Sequence, residues 1–362
     1  MFPWQAVSAC LSTDVNWLHR VPHKLSLVIP GLCGPLPGFE GIETSTAPLL
    51  ELLKQIRKET TPAADFSSQL AALFGLEIAG PFPYAALSLL AYDREPGDHC
   101  WIHADPVNLQ ADMDRAILSD SQTLHIRQHE AEKLVAELNT HFAVDDMSVV
   151  MADENNWFIR LDACDLKTTP LSRAVGRNIN QLLPTGEAAA DWKRLLNEIQ
   201  MLLHMSDVNQ RREERGVAPV NSLWLWGEGV LPPQGSTNVT HVYADDPVAT
   251  GIAKLNHIKY SALTDPLVLA YAMRNDGHSL AVIKQLDGPC NYGDTSAWLD
   301  HMLELVADWL NPLIETAKSL DADVWVYPCN GVRYHFSNNN KFNISKLMWW
   351  KKDRLQDYVD TQ

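Results

Sequence analysis

The chain has 362 residues, of which 46% are apolar and 20% charged, with a formal charge of −16. This length and composition suit a folded globular protein of two domains, or one large α/β domain with an insertion, and exclude a disordered chain. The acidic balance argues against a nucleic-acid groove or an anionic membrane surface as partner, since both reward a basic face.

The N-terminus, MFPWQAVSAC, has no basic residue ahead of an apolar run and so does not resemble a signal peptide; the cytoplasm is the expected compartment. Lys24 to Gly38 is an apolar β-type run closed by a Gly/Pro cluster, which predicts a buried strand opening onto a loop, where α/β proteins place their sites. Ala47 to Glu59 has leucines at helical spacing and charges on the other face. Ile78 to Tyr92 is the most apolar stretch, but Pro81 and Pro83 interrupt it and it falls short of the roughly 20 residues that a membrane span needs. It predicts core, with a helix over YAALSLLAY.

From Cys100 to Asp162 the texture changes. CWIHADPVNL and DRAILSD read as strands, HIRQHEAEKLVAELNTHF as an amphipathic helix, and DMSVVMADENNWFIRLD as a hairpin turning at ENN. These form an expected α+β insertion, with its connection, over residues 99–183, between core segments 1–98 and 184–362. Trp192 to Arg212 then places Leu195, Leu196, Ile199, Leu202 and Leu203 on one helical face. NSLWLW and SLAVIKQLD are short buried-type strands, a long helix is interrupted near Pro312, and DVWVYP closes the sheet. Strand and helix alternate on both sides of the insertion, so a mostly parallel sheet covered by helices is expected.

The six cysteines, Cys10, Cys33, Cys100, Cys164, Cys290 and Cys329, include no C-x-x-C pair and are expected to be reduced thiols packed as small hydrophobes. His99, His103 and Asp105 are ligand types for zinc or iron, but on a strand the two histidines stand roughly 13 Å apart, too far for one ion. Asp287, Asn291 and Asp294 follow a buried strand in a Gly/Pro loop; they are candidate metal ligands, or turn residues with Asp294 capping the next helix. Arg211, Arg212 and Arg215 either bind an anion or complement the helix dipole beside Glu213 and Glu214. Val208 to Gly229 combines the basic end of a helix, a short strand and the glycines Gly227 and Gly229, a combination that can hold phosphate. No G-x-S-x-G, P-loop, dinucleotide fingerprint or H-E-x-x-H occurs.

That last stretch resembles a segment of the archaeal-type cofactor-independent phosphoglycerate mutases, of the alkaline phosphatase superfamily, which runs V-N-x-x-R-x-x-x-G-x-x-P-A-N and then R-G-x-G. Val208, Asn209, Arg212, Gly216, Pro219, Asn221, Gly227 and Gly229 stand at the matching places, with Trp226 where the arginine would be. LVIPGLCG is similar to the first strand, Pro30 standing for its metal-binding aspartate. YAALSLLAYD is similar to the helix after the nucleophile, whose serine falls on Phe82. AVIKQLDGPCNYGD is similar to the later metal loop, Asp287 keeping a carboxylate and Asn291 replacing a histidine. The Asp-His pair after the last strand has become YPCNGVRYH. The chain also resembles RpfE-type bacterial regulatory proteins in EIQMLLH, NSLWLWGEG and YGDTSAWLDHMLELVADWLNPL.

The resemblance implies an alkaline-phosphatase-like core. Proline and phenylalanine can neither ligate a metal nor attack phosphorus, so neither catalysis nor a cofactor is expected. The resulting reading is a regulatory or ligand-sensing protein whose partner is an unknown small molecule or protein, with Asn209, Arg212, Asn221, Trp226, Gly227 and Gly229 as candidate ligand contacts. Two alternatives stand beside it. One is a metal-dependent phosphomutase or phosphatase with a divalent site rebuilt from Asp287, Asp294, His278, His99 and His103. The other is a protein-interaction scaffold that presents its tryptophans as a contact patch.

Overall fold

The computed structural model describes residues 23–34, 45–112, 115–145, 147–275 and 277–337. Cys10, the N-terminal stretch and the Gly38 end of the first loop lie outside them. The first core segment holds β1 (Lys24–Val28), α1 (Ala47–Leu53), β2 (Arg57–Thr60), α2 (Phe66–Phe74) and α3 (Tyr84–Ala91). Next come β3 (Cys100–Asp112), β4 (Arg115–Ser119), α4 (Ser121–Leu124), α5 (Gln128–Phe142), β5 (Val149–Met151), β6 (Trp157–Leu161), β7 (Leu166–Lys167), α6 (Leu171–Ala174), β8 (Thr185–Gly186), α7 (Ala189–Met205), α8 (Asp207–Glu214) and β9 (Ser222–Gly229). The chain returns through β10 (Val239–Tyr243), α9 (Pro247–Leu255), β11 (Lys259–Ser261), α10 (Pro266–Ala272), β12 (His278–Val282), α11 (Asp287–Tyr292), α12 (Thr295–Glu304), α13 (Asn311–Leu320), β13 (Asp323–Tyr327) and β14 (Val332–Phe336).

The core sheet has the order β11-β10-β12-β1-β13-β14-β2. Its first five strands are parallel, with Leu27 between Ala281 and Val326 in register, and β14 and β2 add antiparallel pairs at one edge. β1 and β12 are buried along nearly their whole length because helices cover both faces of a parallel sheet. On one face, Leu27, Ala281 and Val326 pack with Leu49, Trp298 and Leu313. On the other, Val28, Leu280 and Val282 pack with Phe74, Leu87 and Ile252. There α3 and α9 nearly touch, and a methyl on Gly251 would lie 1.8 Å from the Leu87 carbonyl oxygen. The α/β class and mostly parallel sheet expected from the sequence are therefore found.

Several element readings change. The predicted 47–59 helix stops at Leu53, and the alternating Arg57–Thr60 segment pairs with β14. The 192–212 helix is two helices, because Ser206 caps the second through the Val208 N–H. DVWVYP lies inside the sheet instead of closing it, since the chain turns back into β14. The interrupted helix passes through a π-helical stretch, Leu305–Leu310, before Pro312.

The second sheet is antiparallel, β4-β3-β6-β5 with β9 on the other edge of β3. NSLWLW thus belongs to this sheet, which takes a strand from beyond the expected boundary at 183. Its helices α5 and α7 bury Leu134, Leu138, Ile199 and Leu203 against Ile102, Ile159 and Leu225. The expectation of six reduced cysteines also fails: Cys100 and Cys164 form a disulfide. Their 64-residue separation is closed by sheet register, because Cys100 pairs with Leu161 and Cys164 follows three residues later. Among the described residues no helix is long and apolar enough to cross a membrane.

Candidate functional site

A cleft of about 1210 Å³ opens where the parallel strands end. Such carboxyl-end crevices are where open α/β sheets place ligands. Its core side is made by Pro30 and Gly31 after β1, Asp245 and Asp246 after β10, Lys284 and Asp287 after β12, and Cys329 and Asn330 after β13. Its far side is the second sheet, through His103, Asp105 and Trp226, and the segment Thr168 to Arg177. The positions that resemble the mutase chemistry, Pro30, Phe82, Asp287 and Asn291, do converge on this one cleft.

The carboxylates present there are already engaged. Asp65 caps α2, its Oδ1 accepting from the Ser68 N–H at 2.8 Å and from the Ser67 hydroxyl at 2.8 Å. Burial alone would raise its pKa, but these serine donors outweigh it and lower it. Asp246 caps α9 with Oδ1, 2.9 Å from the Ala249 N–H, and accepts Lys284 Nζ on Oδ2 at 3.0 Å. Lys284 Nζ also lies 3.9 Å from Asp287 Oδ2, and Asp287 Oδ1 accepts from Asn291 Nδ2 at 3.0 Å. Burial works to lower the Lys284 pKa, yet Asp246 and Asp287 raise it above the ordinary lysine range, so the ammonium is charged. Among the described residues no three His, Cys, Asp or Glu side chains gather as a metal site. The donor set does not fit a divalent pair, because an ammonium stands between the two carboxylates that would share it.

The rebuilt-site residues are likewise dispersed. Asp294 caps α12 through the Ala297 N–H at 3.0 Å. His278 lies in β12 against Ser26 Oγ, 2.8 Å away, and burial, aided by Lys24, pushes its pKa down to about 4. His99 is exposed before β3. Only Asp287 and His103 of that set line the cleft.

The motif residues do structural work. Arg212, 1% exposed, donates to Glu130 at 2.6 Å and to the carbonyls of Leu124 and Ala218 at 2.6 and 2.9 Å, while Arg215 shares Glu130. Asn209 ties Leu203 and Val220 together, and Asn221 brackets both the N–H and the carbonyl of Leu109. These three candidates therefore shape the bend from α8 into β9 and do not reach the cleft. Gly227 and Gly229 belong to strand β9 and not to a phosphate loop. They let the strand cross the start of α3, since a methyl on either would lie 2.6 Å from Tyr84 Cβ or Pro83 Cβ. The Gly227 N–H donates to Thr168 Oγ1.

Trp226 lines the cleft and makes a polar side-chain contact there. Opposite His103 in the β3–β9 register, it stacks on that imidazole at 4.3 Å, and its Nε1 donates to Asp105 Oδ2 at 2.6 Å. His103 continues to Asp105 at 3.3 Å and to Ser88 Oγ at 3.2 Å. The order Ser88, His103, Asp105 matches a nucleophile relay. However, Ser88 is buried in mid-helix, where neighbouring N–H groups are committed to the helix and cannot stabilise an oxyanion, so the network is a satisfied polar core. Trp157, Trp224 and Trp298 are also buried. Sequence reasoning missed Asp65, Asp246 and Lys284; the first two carried readable capping signals, D-F-S-S and D-P before a helix.

Residues 87–209 match the family described as 2,3-bisphosphoglycerate-independent phosphoglycerate mutase. Over this third of its length the chain is similar to that family. A probable enzyme of that name from Geobacter sulfurreducens is 28% identical over 132 residues, 36% of this chain and 33% of its own length. One from Methanosarcina barkeri is 29% identical over 118 residues, 32% of this chain and 30% of its own. The chain thus spans about a third of the length of these curated relatives. Among solved structures, the PH0037 protein from Pyrococcus horikoshii has a similar fold, with a TM-score of 0.53 at 12% identity and 88% of each chain covered. The family match covers β3 to β6 of the second sheet but not β9, and does not include the loops at Pro30, Phe82 and Asp287.

Proposed function

We propose that this chain is a non-catalytic, ligand-sensing regulatory protein on a phosphoglycerate-mutase-like scaffold. The observation that carries the reading is the Lys284 ammonium between Asp246 and Asp287, an internal cation where phosphoryl transfer would need a divalent one. The similarity to RpfE-type regulatory proteins points the same way. The cleft still offers what a small planar ligand uses, an aromatic wall of Phe82, Tyr84 and Trp226. A flat, weakly charged molecule that stacks on this wall is the class that fits.

The test is mass spectrometry of the purified protein under native conditions, followed by calorimetry with 3-phosphoglycerate. A stoichiometric small molecule carried through purification, with millimolar or weaker binding of 3-phosphoglycerate, supports the sensor. Micromolar binding of 3-phosphoglycerate with turnover would replace it by an enzyme. A stable oligomer with no retained molecule would favour the scaffold.

A further inference from the structure

Resting on the ligand-sensing reading, we propose that the cleft takes a flat organic monocation, which stacks on the wall of Phe82, Tyr84 and Trp226 with its charge beside Glu228. The wall is a run of half-buried rings: the Phe82 and Tyr84 centroids lie 4.6 Å apart and those of Tyr84 and Trp226 5.2 Å. All three line the cleft. Ring faces carry partial negative charge and attract a cation. Trp226 commits its one N–H to Asp105 Oδ2, so the indole keeps no donor for an anion. The cleft already contains one contact of this kind, with Lys284 Nζ 4.9 Å from the Phe66 ring centroid.

Charge selects the sign of the ligand. Among the described residues that line the cleft, Asp and Glu outnumber Lys and Arg by seven to three. Of those three cations, Lys284 is held by Asp246 and Asp287, while Arg173 in α6 and Arg177 beyond it are exposed. Glu228 is the carboxylate left without a counter-charge. It is 2% exposed, it accepts from the Thr168 hydroxyl, and among the described residues it has no cationic partner. Burial accordingly raises its pKa above the ordinary glutamate range. A cation stacked on Trp226, on the same strand, supplies the missing charge, whereas a phosphate or carboxylate adds repulsion. An inorganic dication finds no ligand set, since no three His, Cys, Asp or Glu side chains gather among the described residues. Rings and an unneutralised carboxylate together suit an organic ion.

Ring-matched probes separate charge from shape: N-methylquinolinium, quinoline, which is uncharged at neutral pH, and naphthoate. Each would be titrated by calorimetry into the unmodified chain, Trp226→Ala and Glu228→Gln, with circular dichroism checking that the variants fold. N-methylquinolinium is expected to bind saturably, about tenfold or more tighter than quinoline, and naphthoate to give no saturable heat. Trp226→Ala should weaken both the cation and quinoline, whereas Glu228→Gln should weaken the cation alone, by about tenfold. Equal or tighter binding of quinoline or naphthoate in the unmodified chain would overturn the proposal, whether or not the variants fold. So would the absence of saturable N-methylquinolinium binding, or a Glu228→Gln loss shared equally by quinoline. Tighter binding of quinoline would remove only the cation and leave a ligand-sensing cleft, whereas turnover of 3-phosphoglycerate would remove that reading itself.

Discussion

At Lys284 a single ammonium stands between the cleft carboxylates Asp246 and Asp287. Replacing it with alanine leaves Asp246 and Asp287 facing each other without their cation, two like charges that attract a substitute. Lys284→Ala is expected to bind Mn²⁺ measurably in a calorimetric titration where the unmodified chain gives no saturable heat; equal affinity in both would remove the ammonium from the argument. His278 gives a pH signature at the same scale. Its folded pKa of about 4 lies below the ordinary 6.5, so between those values the unfolded chain binds a proton that the native chain refuses. Stability contributed by the neutral imidazole is present above pH 6.5 and is lost as pH falls toward 4, by an amount on the order of 3 kcal/mol at most. Urea melts across that window should show the slope, and His278→Gln should flatten it; an unchanged slope would assign the dependence to other groups.

Elements were legible where one local signal acted alone and misread where two competed. The alternating 149–161 hairpin reads correctly, its turn held by Asp153 accepting from the Asn155 and Asn156 N–H groups. The 47–59 stretch does not, because helical leucine spacing runs into a segment that an edge strand claims through pairing with residues 274 or so positions away, such as Arg333 to Glu59. Packing between elements also reverses propensity at Gly251. In an isolated helix Gly→Ala stabilises by about 1 kcal/mol. Here the added methyl meets the Leu87 carbonyl oxygen at 1.8 Å, so α3 and α9 would have to separate. Gly251→Ala is expected to destabilise by about 1–3 kcal/mol, the cost of overpacking, read as a lower urea midpoint; a stabilised variant would show that the helices have room.

Across the whole molecule, three strands of the core sheet, β1, β12 and β13, were readable as short apolar-rich runs between loops and helices, whereas β10 and β11 (VTHVY and KYS) carry polar residues and were not predicted. The cleft was readable only at scattered positions. Pro30, Phe82 and Asn291 differ one at a time from the residues that the resemblance implies, but the Lys284 bridge depends on Asp246, 38 residues earlier, which the β10–β12 pairing brings near. The disulfide was hidden for the same reason, as register and not spacing joins its halves. Elemental analysis combined with a phosphoglycerate mutase assay in Mn²⁺ addresses the central claim most directly. The expected result is less than one divalent ion per chain and no interconversion of 3- and 2-phosphoglycerate. Two tightly held ions per chain with turnover would contradict it.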